Sequence, residues 1–253
     1  MPIVRTPSLS RAVQWMGHLV DELVPPGHTP EGAADWQPDT TEDYCPRCGA
    51  SAGPGSVTPH GCPFCLKLNF PWHRITRLGF YGEPVDDWIR DLKFHRRWRY
   101  GQWMGKQLAN ALPLPLKTET TENETSGGAQ WMICPVPMHK FRCWHRGYNQ
   151  ADLIARAAAK SLGLTCAPIL KRVRHTPPQT AIAPSRRHDN VRNSFDIEKV
   201  DLAEHDVILM DDVKTTGATL SACTRLLIGA GARSVHAAVV AVADPKGQGF
   251  SAL

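Results

Sequence analysis

Val207-Ile208-Leu209-Met210-Asp211-Asp212-Val213-Lys214-Thr215-Thr216-Gly217-Ala218-Thr219-Leu220 is the stretch on which the reading of this chain turns. Four consecutive apolar residues, Val207 to Met210, read as a short strand buried on both faces, as in a parallel sheet. Two carboxylates follow at its carboxyl end, the place where open α/β sheets bind ligands. Three threonines and a glycine then lead into a helix expected over Ala218–Ile228 and ended near Gly229 and Gly231. Backbone N–H groups at a helix entrance, helped by hydroxyls, form a phosphate pocket. Gly217 permits either close approach of a phosphate oxygen or an unusual backbone angle. Carboxylates for hydroxyl groups on one side and a phosphate pocket on the other suit a ribose phosphate. A plain helix cap at Thr215 or Thr216, with Asp211 and Asp212 merely solvated, accounts for one Asp and one Thr but less well for the whole run.

Outward from this stretch the chain alternates strand and helix. Trp131–Val136 and Ser234–Ala243 are strand candidates, Leu164–Val173 holds extended segments around Pro168, and Tyr148–Leu162 is a helix with Leu153, Ile154, Ala157, Ala158 and Leu162 on one face, closed by Gly163. Such alternation predicts an α/β fold, a parallel sheet flanked by helices. His175–Asn193 reads as a long, basic, Pro-containing loop, and Leu78–Leu112 as mostly helical after Gly82-Glu83-Pro84. Near the start, Leu9, Val13, Met16, Val20 and Leu23 lie at helical spacing, and Pro25 and Pro26 end that helix. Three regions follow: 1–44, a helix and acidic linker; 45–73, a cysteine module; and 74–253, the α/β domain, with a polar, Thr/Glu-rich insertion at 113–130 expected to be mobile.

The 253 residues, 42% hydrophobic and 21% charged, carry enough apolar material for a core and exclude global disorder. No run approaches the ~18 apolar residues of a membrane-spanning helix, and Met1–Arg11 lacks the apolar centre of a secretory signal, so a reducing, cytoplasmic setting is expected. The net charge of +5 hides an asymmetry: Asp21–Asp43 holds seven acidic residues and no Lys or Arg. Basic runs at Trp88–Lys106 and Lys171–Arg192 suit a polyanionic partner, either nucleic acid or a phosphate-rich small molecule. Taken singly, each run is better read as solvated surface.

Eight cysteines are present. Cys45-Pro46-Arg47-Cys48 and Cys62-Pro63-Phe64-Cys65 are two Cys-x-x-Cys turns separated by 13 residues rich in Gly, Pro and Ser. Each turn aims two thiolates at one ion, so the pair predicts a four-thiolate, structural zinc site with no open position for substrate. Reducing conditions argue against disulfides. Cys134, Cys166 and Cys223 read as small buried apolar residues. His139, Cys143 and His145 lie close together but have no partner pair, so a second metal site is disfavoured.

Asp211–Leu220 resembles the phosphoribosyl-pyrophosphate (PRPP) loop of type I phosphoribosyltransferases. Further matching pieces are Asp91-Leu92-Lys93-Phe94, Pro135-Val136-Pro137-Met138-His139, Arg146-Gly147-Tyr148-Asn149-Gln150-Ala151, Gln179 with Arg187, and Asn190-Val191. With the paired Cys turns they narrow the resemblance to the ComF family of competence-associated, phosphoribosyltransferase-like proteins, which carry an N-terminal zinc ribbon. The resemblance spans about residues 9–243 and implies the type I phosphoribosyltransferase fold with a small zinc module at Cys45, Cys48, Cys62 and Cys65. It implies that Asp211 and Asp212 hold ribose hydroxyls and that Thr215, Thr216, Gly217, Ala218 and Thr219 wrap the 5-phosphate. The loop near His139, Lys140, Arg142 and Arg146 stands where the pyrophosphate loop stands. His175–Asn193, with Arg186 and Arg187, takes the place of the flexible loop that closes the site. Mg²⁺ is expected with PRPP, bound mainly through ligand oxygens and water.

The implied activity is transfer of phosphoribosyl to an acceptor that no motif identifies. Two other readings stay open. One is a PRPP-sensing regulator without turnover. The other is a non-catalytic, single-stranded DNA-binding accessory in DNA uptake, with partners in the uptake machinery; its motive is the run Trp88, Phe94, Trp98, Tyr100 and Trp103 among Arg and Lys, because aromatics stack bases while cations meet phosphates. The same aromatics would equally pack a helical hood.

Overall fold

A computed structural model describes residues 36–53, 55–58, 61–113, 130–173 and 194–243. The helix expected at Leu9–Leu23, most of the acidic linker, residues 114–129 and the loop bearing Gln179, Arg186, Arg187 and Asn190 lie outside the described residues.

The central sheet is parallel throughout, in the order β1 (Arg74–Phe80), β7 (Ser234–Val242), β6 (His205–Lys214), β2 (Gln130–Pro135), β3 (Thr165–Cys166). A separate antiparallel pair joins β4 (Leu170–Arg172) to β5 (Phe195–Ile197). The helices are α1 (Val85–Phe94), α2 (Trp98–Ala111), α3 (Lys140–Arg146), α4 (Gln150–Leu162) and α5 (Ala218–Gly229).

Alternation along the central strands feeds two cores. Ile208 and Met210 of β6, Ala238 and Val240 of β7 and Ile133 of β2 face α1, α2 and α4. Val207, Leu209, Ala237, Val239, Met132 and Cys134 face α5 and the β4–β5 pair. A sheet covered on both faces requires apolar residues at every position, which is why Val207–Met210 has no polar alternation.

The helix ends follow local chemistry. The Asn149 side chain accepts the Ala151 N–H at 3.2 Å to start α4, while its Nδ2 donates to the Val136 carbonyl at 2.9 Å, tying the helix to the end of β2. Gly163, with φ 68°, closes α4. The buried residues of α4 include Ala151, Ile154, Ala155, Ala158 and Ala159; of the expected face, Ile154 and Ala158 are buried and Leu153 and Leu162 are partly buried against the same core. That face packs closely on α2: a Cβ at Gly105 would collide with the Ile154 carbonyl and lie 2.7 Å from the Ala157 Cβ. Small residues let these two helices approach.

The helix expected after Gly82-Glu83-Pro84 begins at Val85. Arg74–Phe80 is a strand that the sequence reading does not assign, and its buried charge obscures it. Arg77 is 2% exposed, pairs with Asp39 at 2.6 Å and donates to the Gly49 carbonyl at 2.7 Å and Ser51 Oγ at 2.9 Å. Of the two readings of Trp88–Trp103, a stacking face or a packed hood, the hood is the one that forms. Trp88, Trp98 and Tyr100 are buried, and Trp36, Trp88 and Trp103 make an edge-to-face cluster with centroids 5.0–5.5 Å apart. Of that set only Phe94 is exposed.

Candidate functional site

β6 is longer than its apolar run. Pairing with β2 stops at Pro135–Met210, whereas pairing with β7 continues to Lys214–Val242. Among the described residues, 211–214 therefore have one unpaired edge, and a cleft of about 220 Å³ opens beside it. Asp211 and Asp212 lie within the strand rather than after it, and both line the cleft. Asp211 accepts the Asp212 N–H at 2.9 Å, and Asp212 accepts the Val213 N–H at 2.8 Å. Burial, and secondarily the charge of Asp212, raises the Asp211 carboxyl above its ordinary value.

Four cations face these carboxylates around the cleft: Lys93 from α1, Arg142 and Arg146 from α3, and Arg172 from β4. Lys93 Nζ lies 2.7 Å from Asp212 Oδ2. Burial lowers the Arg146 pKa, with Asp212 acting against that shift, and the guanidinium sits 5.1 Å from the Phe94 ring centroid. Burial and the nearby Arg142 lower Arg172 as well. Gln150 also lines the cleft, and its buried amide nitrogen has no partner among the described residues. Opposite charges separated across one small cleft suit a ligand with hydroxyl groups at one end and concentrated negative charge at the other.

The hydroxyl-rich turn completes the arrangement. Thr215 and Thr216 are exposed, Gly217 is buried with φ 79°, Ala218 opens α5, and Thr219 lines the cleft. The Ala218 N–H donates to Thr216 Oγ1 at 3.4 Å. Gly217 is required for two reasons: its backbone is left-handed, and a Cβ would lie 3.0 Å from Trp72 Cη2 and 3.2 Å from Lys214 Cε. Trp72 in turn donates from Nε1 to the Arg47 carbonyl at 2.9 Å, so the turn rests on the first cysteine knuckle.

That knuckle belongs to a buried cluster of Cys45, Cys48, Cys62 and Cys65, whose sulfurs all lie within 4.8 Å of one another. Separations of 3.8 Å (Cys45–Cys65), 3.6 Å (Cys48–Cys62) and 3.8 Å (Cys62–Cys65) match the ~3.8 Å edge of a tetrahedron with ~2.3 Å metal–sulfur bonds. A hydrogen bond from Cys48 lowers the Cys45 thiol, while that bond and burial push Cys48 up. The donor set fits a tetrahedral, thiophilic metal ion. His139 instead caps α3, accepting the Phe141 N–H on Nδ1 at 3.2 Å.

Of the residues expected at the site, Asp211, Asp212, Arg142, Arg146 and Thr219 line the cleft. Lys140, exposed at the start of α3, and Thr215, Thr216, Gly217 and Ala218 of the turn do not. Arg186 and Arg187 lie outside the described residues. Lys93, Gln150 and Arg172 were not expected there. Lys93 and Gln150 fall in quoted motifs, but nothing in their spacing ties them to β6.

Residues 151–251 match the family model described as the phosphoribosyl transferase domain. The chain is 32% identical over 196 residues to competence protein F of Haemophilus influenzae, covering 76% of this chain and 82% of that protein. It is 34% identical over 197 residues to the DNA utilization protein YhgH of Salmonella typhi, covering 76% and 81%. Among solved structures, adenine phosphoribosyltransferase of Saccharomyces cerevisiae aligns over 60% of this chain and 72% of its own at 16% identity, with a TM-score of 0.32. A parallel sheet with flanking helices and this domain match define a phosphoribosyltransferase-fold protein with an N-terminal four-cysteine module. The identity and coverage shared with the curated relatives go further, and the chain belongs to the ComF family. Among the described residues, no helix is long and apolar enough to cross a membrane.

Proposed function

We propose that the cleft binds PRPP and that the protein transfers its phosphoribosyl group to an acceptor. One observation carries this reading: two carboxylates on the unpaired edge of β6 face Lys93, Arg142, Arg146 and Arg172 across one cleft, beside a threonine-glycine helix entrance. Asp211 and Asp212 hold the ribose hydroxyls, and Thr215, Thr216, Gly217, Ala218 and Thr219 receive the 5-phosphate. The cations take the diphosphate. When the bond from the anomeric carbon to the diphosphate breaks, positive charge grows on the ribose ring, where the carboxylates stabilise it, and negative charge grows on the leaving group, where the cations do. No protein nucleophile is required. Mg²⁺ would supply further neutralisation of the diphosphate charge. Zn²⁺ is the proposed occupant of Cys45, Cys48, Cys62 and Cys65, in a structural role.

The test of catalysis is release of pyrophosphate from Mg²⁺ and PRPP across a panel of nucleobases. Release that depends on one acceptor supports transfer. PRPP binding without release under any acceptor removes transfer and leaves a PRPP sensor.

A second reading is favoured by a specific surface. Phe94, Phe141 and Trp144 are 64%, 59% and 81% exposed; the Phe94 ring lies 5.1 Å from the Arg146 guanidinium, and Phe141 and Trp144 stand 6.3 Å apart on α3. Aromatic faces beside guanidinium groups bind single-stranded nucleic acid by stacking and phosphate contact. The names of the relatives, competence protein F and DNA utilization protein, support a DNA ligand. Binding of a single-stranded oligonucleotide that weakens steeply with salt and with Trp144→Ala supports it; salt-indifferent or absent binding removes it.

A further inference from the structure

A second cleft, of about 520 Å³, runs along the seam between α2 and α4 and shares no lining residue with the one at β6. Two glycines of α2 set this seam. A Cβ at Gly101 would lie 2.7 Å from Leu153 Cδ2, and one at Gly105 would collide with the Ile154 carbonyl and lie 2.7 Å from the Ala157 Cβ. Leu153 and Ala157 therefore form a floor held by close packing. Gln102 and Lys106 of α2 line one side, and Arg156 and Lys160 of α4 the other. Because Gly101 meets Leu153 and Gly105 meets Ala157, the two helices run in the same direction along the cleft, and its two ends differ. Gln102 and Leu153, an amide and an apolar side chain, mark one end. At 1.5 Å per residue, Lys106 lies about 6 Å further along α2 and Lys160 about 10 Å further along α4, with Arg156 one turn before it.

Lys106 and Lys160 are exposed and have no acidic partner among the described residues. Arg156 Nε donates to Asp152 Oδ2 at 2.8 Å, which orients the guanidinium and leaves its terminal nitrogens to donate elsewhere. Three cations thus gather toward one end of a cleft of the size that takes a small ligand. At the other end the Gln102 amide offers one donor and one acceptor, the pair that matches an adenine edge, beside the apolar surface of Leu153. We propose that this cleft is a second ligand site that takes a nucleoside polyphosphate, with its base at Gln102 and Leu153 and its phosphates at Lys106, Arg156 and Lys160. A single-stranded nucleic acid or an acidic peptide fits less well, since either spreads its negative charge along the whole seam. The proposal is independent of the PRPP reading, because the site uses none of the residues around β6.

The experiment is calorimetry of the full chain with ADP and with inorganic pyrophosphate, without Mg²⁺ so that the phosphates keep their charge. Saturable ADP binding is expected to weaken about tenfold or more in the variant carrying Lys106→Gln and Lys160→Gln, as loss of charged hydrogen bonds does. Both lysines are exposed, so an unchanged Tm is expected to accompany that loss. ADP binding is expected to hold in the variant carrying Arg142→Gln and Arg146→Gln, which strips cations from the β6 cleft instead. Gln102→Ala is expected to weaken ADP and leave pyrophosphate unchanged, because only the base reaches that end. The proposal is overturned if the native chain does not bind ADP, or if ADP affinity does not change in the lysine variant. Loss of ADP in the arginine variant alone also overturns it and assigns the nucleotide to the β6 cleft. Lysine-dependent binding of a single-stranded oligonucleotide or an acidic peptide, without ADP binding, overturns it in favour of a polyanion surface.

Discussion

Replacing Gly217 with Ala separates two costs that the structure stacks at one residue. The first is conformational: a left-handed backbone costs a side-chain-bearing residue about 1–2 kcal/mol. Gly163 carries the same cost, with φ 68° against 79° at Gly217. The second is contact. A Cβ at Gly163 meets nothing within 4 Å, whereas at Gly217 it lies 3.0 Å from Trp72 Cη2 and 3.2 Å from Lys214 Cε. Lys214 has a flexible stem, but Trp72 is held: it is 3% exposed, stacks on Phe70 at 4.7 Å and donates to the Arg47 carbonyl at 2.9 Å. Overpacking of this kind costs about 1–3 kcal/mol. Gly217→Ala is thus expected to be about 1–3 kcal/mol less stable than Gly163→Ala, a further fall in Tm of roughly 2–4 °C per kcal/mol in a domain this size. Thermal and urea unfolding measure the stability difference, and PRPP titration reads the turn itself: binding is lost in Gly217→Ala and kept in Gly163→Ala. Equal destabilisation, with PRPP binding retained in both variants, refutes the claim that Trp72 fixes the shape of the phosphate turn.

Two other outcomes are expected. Elemental analysis of the purified protein should find zinc, and Cys48→Ser or a strong chelator should remove it and lower both Tm and PRPP affinity, since Pro46 and Arg47 accept bonds from Ile75 and Trp72; unchanged PRPP affinity in the metal-free protein breaks that link. Burial, aided by His73 and Arg74, lowers His236 from 6.5 to about 4. Between those values the unfolded chain binds the proton that the folded one refuses, so stability at this group falls as pH drops from about 6.5 to about 4 and is flat below. Urea unfolding at pH 7 and pH 4.5 should show a smaller acid loss for His236→Gln than for the native chain, and equal losses contradict the assignment.

The parts of the molecule legible in the sequence are those where local chemistry and tertiary structure agree. Val207–Met210 is apolar at every position because both faces of β6 are covered. The two Cys-x-x-Cys turns carry their geometry in their spacing. Gly163 marks the end of α4 by its own conformation. The rest depended on contacts far apart in the chain. β1 was missed because Arg77, which reads as a surface charge, is neutralised by Asp39 inside the fold. The aromatic run from Trp88 to Trp103 reads equally as a stacking face or as a hood, and only the partner Trp36 decides between them. Lys93 and Arg172 reach the cleft through a helix and a hairpin strand whose positions relative to β6 are not encoded in any spacing.

The central claim is that a carboxylate pair on the free edge of β6 grips the ribose of PRPP. Calorimetry with Mg²⁺ and PRPP on the native chain and on the variant carrying both Asp211→Asn and Asp212→Asn tests it most directly. Saturable binding by the native protein that is abolished in a folded double variant is the expected result. Undiminished binding by the double variant, or no binding by the native protein, contradicts it.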